Sequence, residues 1–260
     1  MTTGYFFDMD GTLYNNAFHT ISHKTFQALY QLNDQKDMLF LATSRCLREL
    51  DHLPREMYNF PFDAKILDGG ALILDTNNQI IEDTPISPTL MKEIETYCLN
   101  NDLLYRYSTK DGNYFGTKVK QAFYELEFSL YLNTPDYKPY ENDIAYNVLI
   151  CYETNKQKEE ICQIAHDCGI VFYPECVEIR ANNIDKATAI QKIKHHFELD
   201  RIICFGDGEN DIEMIKQADI GIAMKNGCDK VKEIADHITD SVDEDGIYTY
   251  LVKEKLVKEV

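Results

Sequence analysis

The stretch "YFFDMDGTLYNN", residues 5–16, runs an apolar segment directly into two acids, Asp8 and Asp10. A carboxylate at the end of a buried strand is costly unless cations or hydrogen-bond donors face it. The spacing of two puts both acids on one side of an extended chain. Gly11 then permits a tight turn that aims backbone N–H groups at an anion. The segment therefore reads as a buried strand whose C-terminal end is built for charge.

The same pattern recurs along the chain. "MLFLA" precedes Thr43, "AKIL" precedes Asp68, "RIICF" precedes Gly206 and "IGIAM" precedes Lys225. Runs that are apolar throughout, rather than alternating, suit parallel strands covered on both faces. Helical patterns lie between most of them. "SHKTFQALYQL" starts at a capping Ser22, "DKATAIQKIKHHF" repeats apolar residues every three positions, and "DIEMIKQA" does so with Ile212 and Ile215. Strand, helix, strand in this order predicts an α/β fold with a doubly wound parallel sheet, of Rossmann type.

Residues 82–181 read differently. A helix start at Ser87-Pro88 is followed by "LLYRYST", "NYFGT", a Tyr/Phe/Leu-rich helical stretch over 119–132, "IAYNVLICYE", a helix over 154–169, and "IVFYP" with "CVEIRA". Closely spaced strands with helices predict an inserted α+β cap domain with an antiparallel sheet. The expected division is a core of residues 1–81 and 182–260 and a cap of residues 82–181.

Composition narrows the function. The chain has 260 residues, 44% of them apolar and 27% charged, which is the balance of a globular protein. Its formal net charge of -18 repels nucleic acid and anionic membrane surfaces, so neither is expected as a partner. The N-terminus shows no export signal and no apolar run reaches the ~20 residues of a membrane span, so a cytoplasmic location is expected. The eight cysteines contain no CxxC, which disfavours a zinc cluster and suits reduced thiols.

In an open parallel sheet, ligands bind beyond the C-terminal ends of the strands. There the sequence collects Asp8 and Asp10, Thr43 and Ser44, and Asp207 and Asp211 of "GDGEND", with Lys186 at the start of a helix able to join them. Two carboxylates about 4 Å apart repel by ~4 kcal/mol at an effective dielectric near 20, so a cluster of them calls for a cation. All-oxygen ligands without His or Cys suit Mg²⁺. A phosphate dianion approaching a carboxylate meets still greater repulsion, which the metal and Lys186 together offset. Asp8 is then placed as a nucleophile that forms an acyl phosphate, and Asp10 as the acid that protonates the leaving oxygen and later deprotonates water.

These residues resemble a known family. "DMDGTL" is similar to the first motif of the haloacid dehalogenase (HAD) superfamily, "LFLATSR" to its second, "NIDKATAI" to its lysine motif, and "CFGDGENDIEMI" with "ADIGIAMKNGCDKVKEIADHIT" to its last motif in the Cof-type branch. Four motifs in order make the resemblance specific, and the length of the insert matches the type IIB cap. The resemblance implies a HAD-like phosphatase with Mg²⁺ as cofactor. Asp8 would be nucleophile and metal ligand, with Asp10 as acid/base giving its backbone carbonyl to the metal. Thr43 would bind phosphate, with Ser44 where many relatives have glycine, and Lys186 would neutralise charge. Asp207 would be a metal ligand, Asp211 would stand behind the ligands or reach the metal through a water, and Asn210 would be a hydrogen-bonding neighbour of the phosphate. In this chain Ala187, Gly69-Gly70 and Val242 depart from the usual residues of the family, none at a catalytic position.

The expected function is Mg²⁺-dependent hydrolysis of a small phosphorylated metabolite, a sugar phosphate or a nucleotide- or cofactor-related monoester. A phosphosugar mutase of the same fold and a catalytically silent phospho-ligand-binding protein are the alternatives. A dehalogenase needs neither Asp10 nor Asp207. "GDGEND" lacks the third glycine of a dinucleotide loop. "SVDEDGIYTYLV" has Ser241 and Val252 where a calcium loop wants Asp and Glu, so it reads as a turn. Thr43 and Ser44 are also placed to cap a helix beginning near Arg45. In the cap, Arg106, Lys110, Lys118, Lys120 and Arg180 are candidate contacts for an anionic substrate, each more simply read as a solvated side chain.

Overall fold

The computed structural model describes residues 2–118, 134–173 and 176–260. The helical stretch expected over 119–132, with Lys120, lies outside the described residues. The chain divides into two compact units: Met1–Thr43, Leu53–Ile81 and Asp185–Val260 form the first, and Ser44–His52 with Glu82–Ile184 form the second.

The first unit is built on an eight-stranded sheet. Its strands are β1 (Thr3–Phe7), β2 (Met38–Ala42), β3 (Ala64–Leu67), β4 (Leu72–Asp75), β5 (Ile80–Asp83), β12 (Arg201–Gly206), β13 (Ile220–Met224) and β14 (His237–Thr239), in the order β14-β13-β12-β1-β2-β3-β4-β5. Pairing is parallel from β14 through β3, with Phe7 level with both Leu41 and Phe205. Between β3 and β4 it becomes antiparallel. That edge adds an antiparallel hairpin to the doubly wound parallel sheet expected from the sequence, because Asp68, Gly69 and Gly70 turn the chain straight back. Gly70 has a φ of 115°, and a Cβ there would lie 2.3 Å from the Asp185 carbonyl oxygen, so the turn needs glycine on both counts.

Both faces of the central strands are covered, which is why β1, β2, β12 and β13 are apolar along most of their length. Phe6, Phe40, Ala42 and Cys204 pack on one face against Ala187, Ile190 and Ile193 of the helix Lys186–His196 and Met214 and Ile215 of the helix Ile212–Gln217. The opposite face carries Phe7 stacked on Phe205, whose ring meets Tyr250 of the helix Gly246–Lys253 edge-on at 5.5 Å. The helix His23–Asp34 is capped by Ser22, whose side chain accepts from the Thr25 N–H.

The second unit holds a six-stranded sheet. Its strands are β6 (Tyr105–Ser108), β7 (Asn113–Phe115), β8 (Asp136–Tyr137), β9 (Asn147–Cys151), β10 (Gly169–Phe172) and β11 (Cys176–Arg180), in the order β10-β11-β9-β6-β7-β8. All its pairings are antiparallel except β7 with β8. Its apolar face, including Tyr105, Tyr107, Val148, Ile150, Val177 and Ile179, packs on Met91 and Ile94 of the helix Pro88–Asn100 and Ile161 of the helix Asn155–Ile164. The other face is polar and buried. Glu49 takes an ion pair from Arg106 and a hydrogen bond from Asn113 Nδ2 at 3.1 Å. Glu178 pairs with Arg180 and accepts from Asn147 Nδ2 at 2.5 Å and the Tyr173 hydroxyl at 2.9 Å. The structure thus corrects the reading of Arg106 and Arg180 as solvated cations. Each is committed to a buried carboxylate. Among the described residues, no helix is long and apolar enough to cross a membrane.

Candidate active site

The site grows from the ends of β1 and β12. Asp8 continues the parallel ladder, its N–H donating to the Phe205 carbonyl at 2.9 Å. The chain then folds tightly: the N–H groups of Thr12, Leu13 and Tyr14 all approach the Met9 carbonyl, and Gly11 donates to the Tyr14 carbonyl at 2.9 Å. Gly11 has a φ of 85°, and a Cβ there would sit 2.3 Å from Asp207 Oδ2. Only glycine lets the two loops approach so closely.

On the other side, Asp207 and Gly208 follow β12 and hang from Asp211. Asp211 Oδ2 accepts both their N–H groups, at 3.0 and 2.9 Å, while its Oδ1 accepts from Lys186 Nζ at 2.7 Å. Asp211 is completely buried, and these three donors satisfy its two oxygens there. Lys186 stands at the first turn of its helix, after the capping Asp185, and its ammonium also bonds Asp8 Oδ1. Its exposure is 1%, against 5% for Asp8.

Carboxylate oxygens of Asp8, Asp207 and Asp211 lie within 4.8 Å of one another, the one such group among the described residues. Three acids thus share one lysine. Burial first, and then the charge of Asp211, push the Asp8 carboxyl well above its usual range despite the opposing pull of Lys186. Asp207 is pushed up to about 6 by burial and by Asp211, against the hydrogen bond it accepts from Thr12 Oγ1 at 2.7 Å. For Lys186, burial works to lower the value, but Asp211 and Asp8 outweigh it and hold the ammonium charged beyond its ordinary range. Converging all-oxygen donors whose charge one lysine only partly offsets fit a hard divalent cation, and the three aspartates are able to coordinate one.

The remaining expected residues are arranged less tightly. Asp10 follows in the turn, half-buried, and its carboxylate is outside the three-acid group. Thr43 is buried at the end of β2, its N–H donating to Ile66 and its carbonyl accepting from Gly69. The register, Phe7 level with Leu41, brings Thr43 to the strand end beside Asp8. Ser44 groups with the second unit, where its Oγ accepts from Arg180 Nη2 at 3.2 Å. Asn210 is exposed in the short turn Glu209–Asp211. No α-helix begins at Arg45. The chain forms a 3-10 turn over Leu47–Leu50, where the Cys46 N–H donates to Glu49 Oε2 at 2.9 Å.

Two side chains missed by sequence reasoning organise the site. Thr12 ties the first loop to Asp207, as described. Asn226 donates to the Gly11 carbonyl at 2.8 Å and accepts from the Val242 N–H at 2.9 Å, joining three loops. The signal was present in "KNG" directly after β13, a turn pair at the same sheet edge as Gly11.

A sheet that reverses strand order between β12 and β2, with acids at that switch point, defines a doubly wound α/β hydrolase whose chemistry uses carboxylates. The haloacid dehalogenase-like hydrolase family matches residues 5–251. The chain belongs to that family and is a phosphatase-type hydrolase of its Cof-like branch. It is 29% identical to 5-amino-6-(5-phospho-D-ribitylamino)uracil phosphatase YcsE of Bacillus subtilis over 247 residues, spanning 92% of this chain and 90% of that protein. Among solved structures it resembles the HAD subclass IIB sugar phosphatase BT4131, with a TM-score of 0.83 and 25% identity, covering 98% of this chain and 100% of that one. The fold is shared as well with the phosphatase BT1666 from Bacteroides thetaiotaomicron, with a TM-score of 0.85 and 22% identity over 99% of this chain and 96% of that one.

Proposed function

We propose that the protein is a Mg²⁺-dependent phosphomonoester hydrolase that acts on a small phosphorylated metabolite through an aspartyl-phosphate intermediate. The observation that carries this reading is the convergence of Asp8, Asp207 and Asp211, the first and last of them buried and paired with a single ammonium, Lys186. An Asp8 oxygen attacks phosphorus, and the bond from phosphorus to the leaving oxygen breaks. Asp10 gives that oxygen its proton, then takes one from the water that cleaves the acyl phosphate. Lys186 holds Asp8 in place and offsets the charge of the phosphoryl oxygens, and Asp211 holds Lys186. Thr43 and Asn210 bind phosphoryl oxygens, and Ser44 orients the segment that follows Thr43. Asp8, the Asp10 backbone carbonyl and Asp207 would hold Mg²⁺, with Asp211 behind them. When bound, the ion supplies the positive charge that lets a carboxylate and a phosphate dianion approach.

We assign residues 1–81 and 182–260 to the catalytic core and residues 82–181 to a cap that selects the leaving group. The name of the Bacillus relative makes 5-amino-6-(5-phospho-D-ribitylamino)uracil the first compound to try, alongside sugar phosphates and nucleotide monophosphates. The test is phosphate release from p-nitrophenyl phosphate and from this panel, with Mg²⁺ and with chelator. The reading expects Mg²⁺-dependent release and a ranked panel. Absence of release from every compound with Mg²⁺ present would overturn it.

A further inference from the structure

We propose that Cys151 and Cys176 form a reversible dithiol–disulfide site in the sheet of the second unit, oxidised by a small disulfide of the glutathione type. The two residues are register partners on β9 and β11, and their sulfurs lie 2.7 Å apart. Their place in the ladder is what suits them to bonding. The Cys151 N–H donates to the Leu104 carbonyl at 2.9 Å, towards β6, and the Cys176 carbonyl accepts from the Tyr173 N–H at 2.9 Å, on the β10 side. Both backbones therefore turn away from the seam they share. In an antiparallel pair this marks a non-hydrogen-bonded position, where facing Cα atoms are about 4.5 Å apart and side chains approach most closely. That spacing falls in the window of about 4.4 to 6.8 Å in which a disulfide closes without backbone movement.

Accessibility gives the order of events. Cys151 is half-buried and Cys176 is buried. The Cys151 thiolate attacks one sulfur of glutathione disulfide, forming a mixed disulfide and releasing one glutathione thiolate. The Cys176 thiolate then attacks the Cys151 sulfur and displaces the second glutathione. Two cysteine thiols and one glutathione disulfide become one protein disulfide and two glutathione thiols, each of which ends with one of the departing protons. The bond would pin the register of a seam whose far end carries the Asn147, Glu178 and Arg180 network on the same sheet face.

The test is incubation of the folded chain with glutathione disulfide, alkylation of remaining thiols, digestion and mass spectrometry. The expected product is a peptide pair joining Cys151 to Cys176, lost on treatment with dithiothreitol. Cys176→Ser should instead accumulate a glutathione adduct at Cys151, and Cys151→Ser should leave Cys176 alkylatable. Unfolding in urea before oxidation should remove the preference for this pair over the other cysteines. The proposal is overturned if both cysteines of the folded wild type remain fully alkylatable, if the dominant linkage joins other cysteines, or if the urea-unfolded chain yields the pair equally well.

Discussion

At the strand ends of the first unit three carboxylates, Asp8, Asp207 and Asp211, face the single ammonium of Lys186. On the polar face of the second unit's sheet, Glu49 has Arg106 and Glu178 has Arg180, one guanidinium for each acid. Both clusters are largely buried, yet of the two the first carries excess negative charge. Asp8 and Asp207 are pushed towards protonation by burial and by the charge of Asp211. A network that merely joins strands gains nothing from such an excess, because each unmatched buried charge costs stability. A site that receives a cation and then an anion needs it, since the missing charge arrives with the ligands. The contrast separates chemistry from scaffolding without reference to motifs.

Changing the acids tests this contrast most severely. Asp8→Asn should lower kcat/KM for phosphate release by roughly four orders of magnitude, as loss of a nucleophile does. Without metal, the same variant should melt no lower than wild type, because one of three repelling carboxylates is gone. Circular-dichroism melts beside a phosphate-release assay check both halves. Lys186→Met comes next. It leaves Asp8 and Asp211 buried without their cation and should cost about 3–5 kcal/mol in metal-free protein. Added Mg²⁺ should restore part of that loss in denaturant titrations.

Arg180→Met is the matching change in the balanced cluster. Glu178 keeps Asn147 and Tyr173 as donors, so the loss should be smaller, about 2–3 kcal/mol. Mg²⁺ should restore none of it. Equal recovery of the two variants would erase the distinction drawn between the clusters.

The smallest effect is that of pH. Asp207 has its folded pKa raised from 3.8 to about 6. Between those values the fold keeps a proton that the unfolded chain has lost, so this group's contribution to stability falls as pH rises through the window. Metal-free Asp207→Asn should therefore lose less melting temperature than wild type from pH 3.8 to about 6. A steeper fall in the variant would reverse the sign assigned to Asp207.

The core was legible because its central strands are apolar along most of their length and end in acids, glycine or hydroxyls, so one pattern announced both the sheet and its functional edge. Lys186 was legible only through its motif, since a lysine opening a helix is ordinarily a surface residue. The antiparallel β3–β4 turn was not legible, because Gly69-Gly70 reads equally well as a loop to a helix. Thr12 and Asn226 act through contacts between residues some two hundred positions apart in sequence, on loops whose approach depends on the sheet order. The pairing of Glu49 with Arg106 and of Glu178 with Arg180 was hidden for another reason. In sequence a buried ion pair and two solvated charges look alike, and only the burial that the folded sheet imposes separates them.

The most direct measurement is of the phosphoryl group itself. Protein mixed with Mg²⁺ and a hydrolysable phosphomonoester, quenched in acid within the first turnover and digested, should carry a phosphoryl group on the peptide containing Asp8, and the Asp8→Asn protein should carry none. Phosphate release at the wild-type rate by Asp8→Asn, or a label on any other residue, would contradict the role given to that carboxylate.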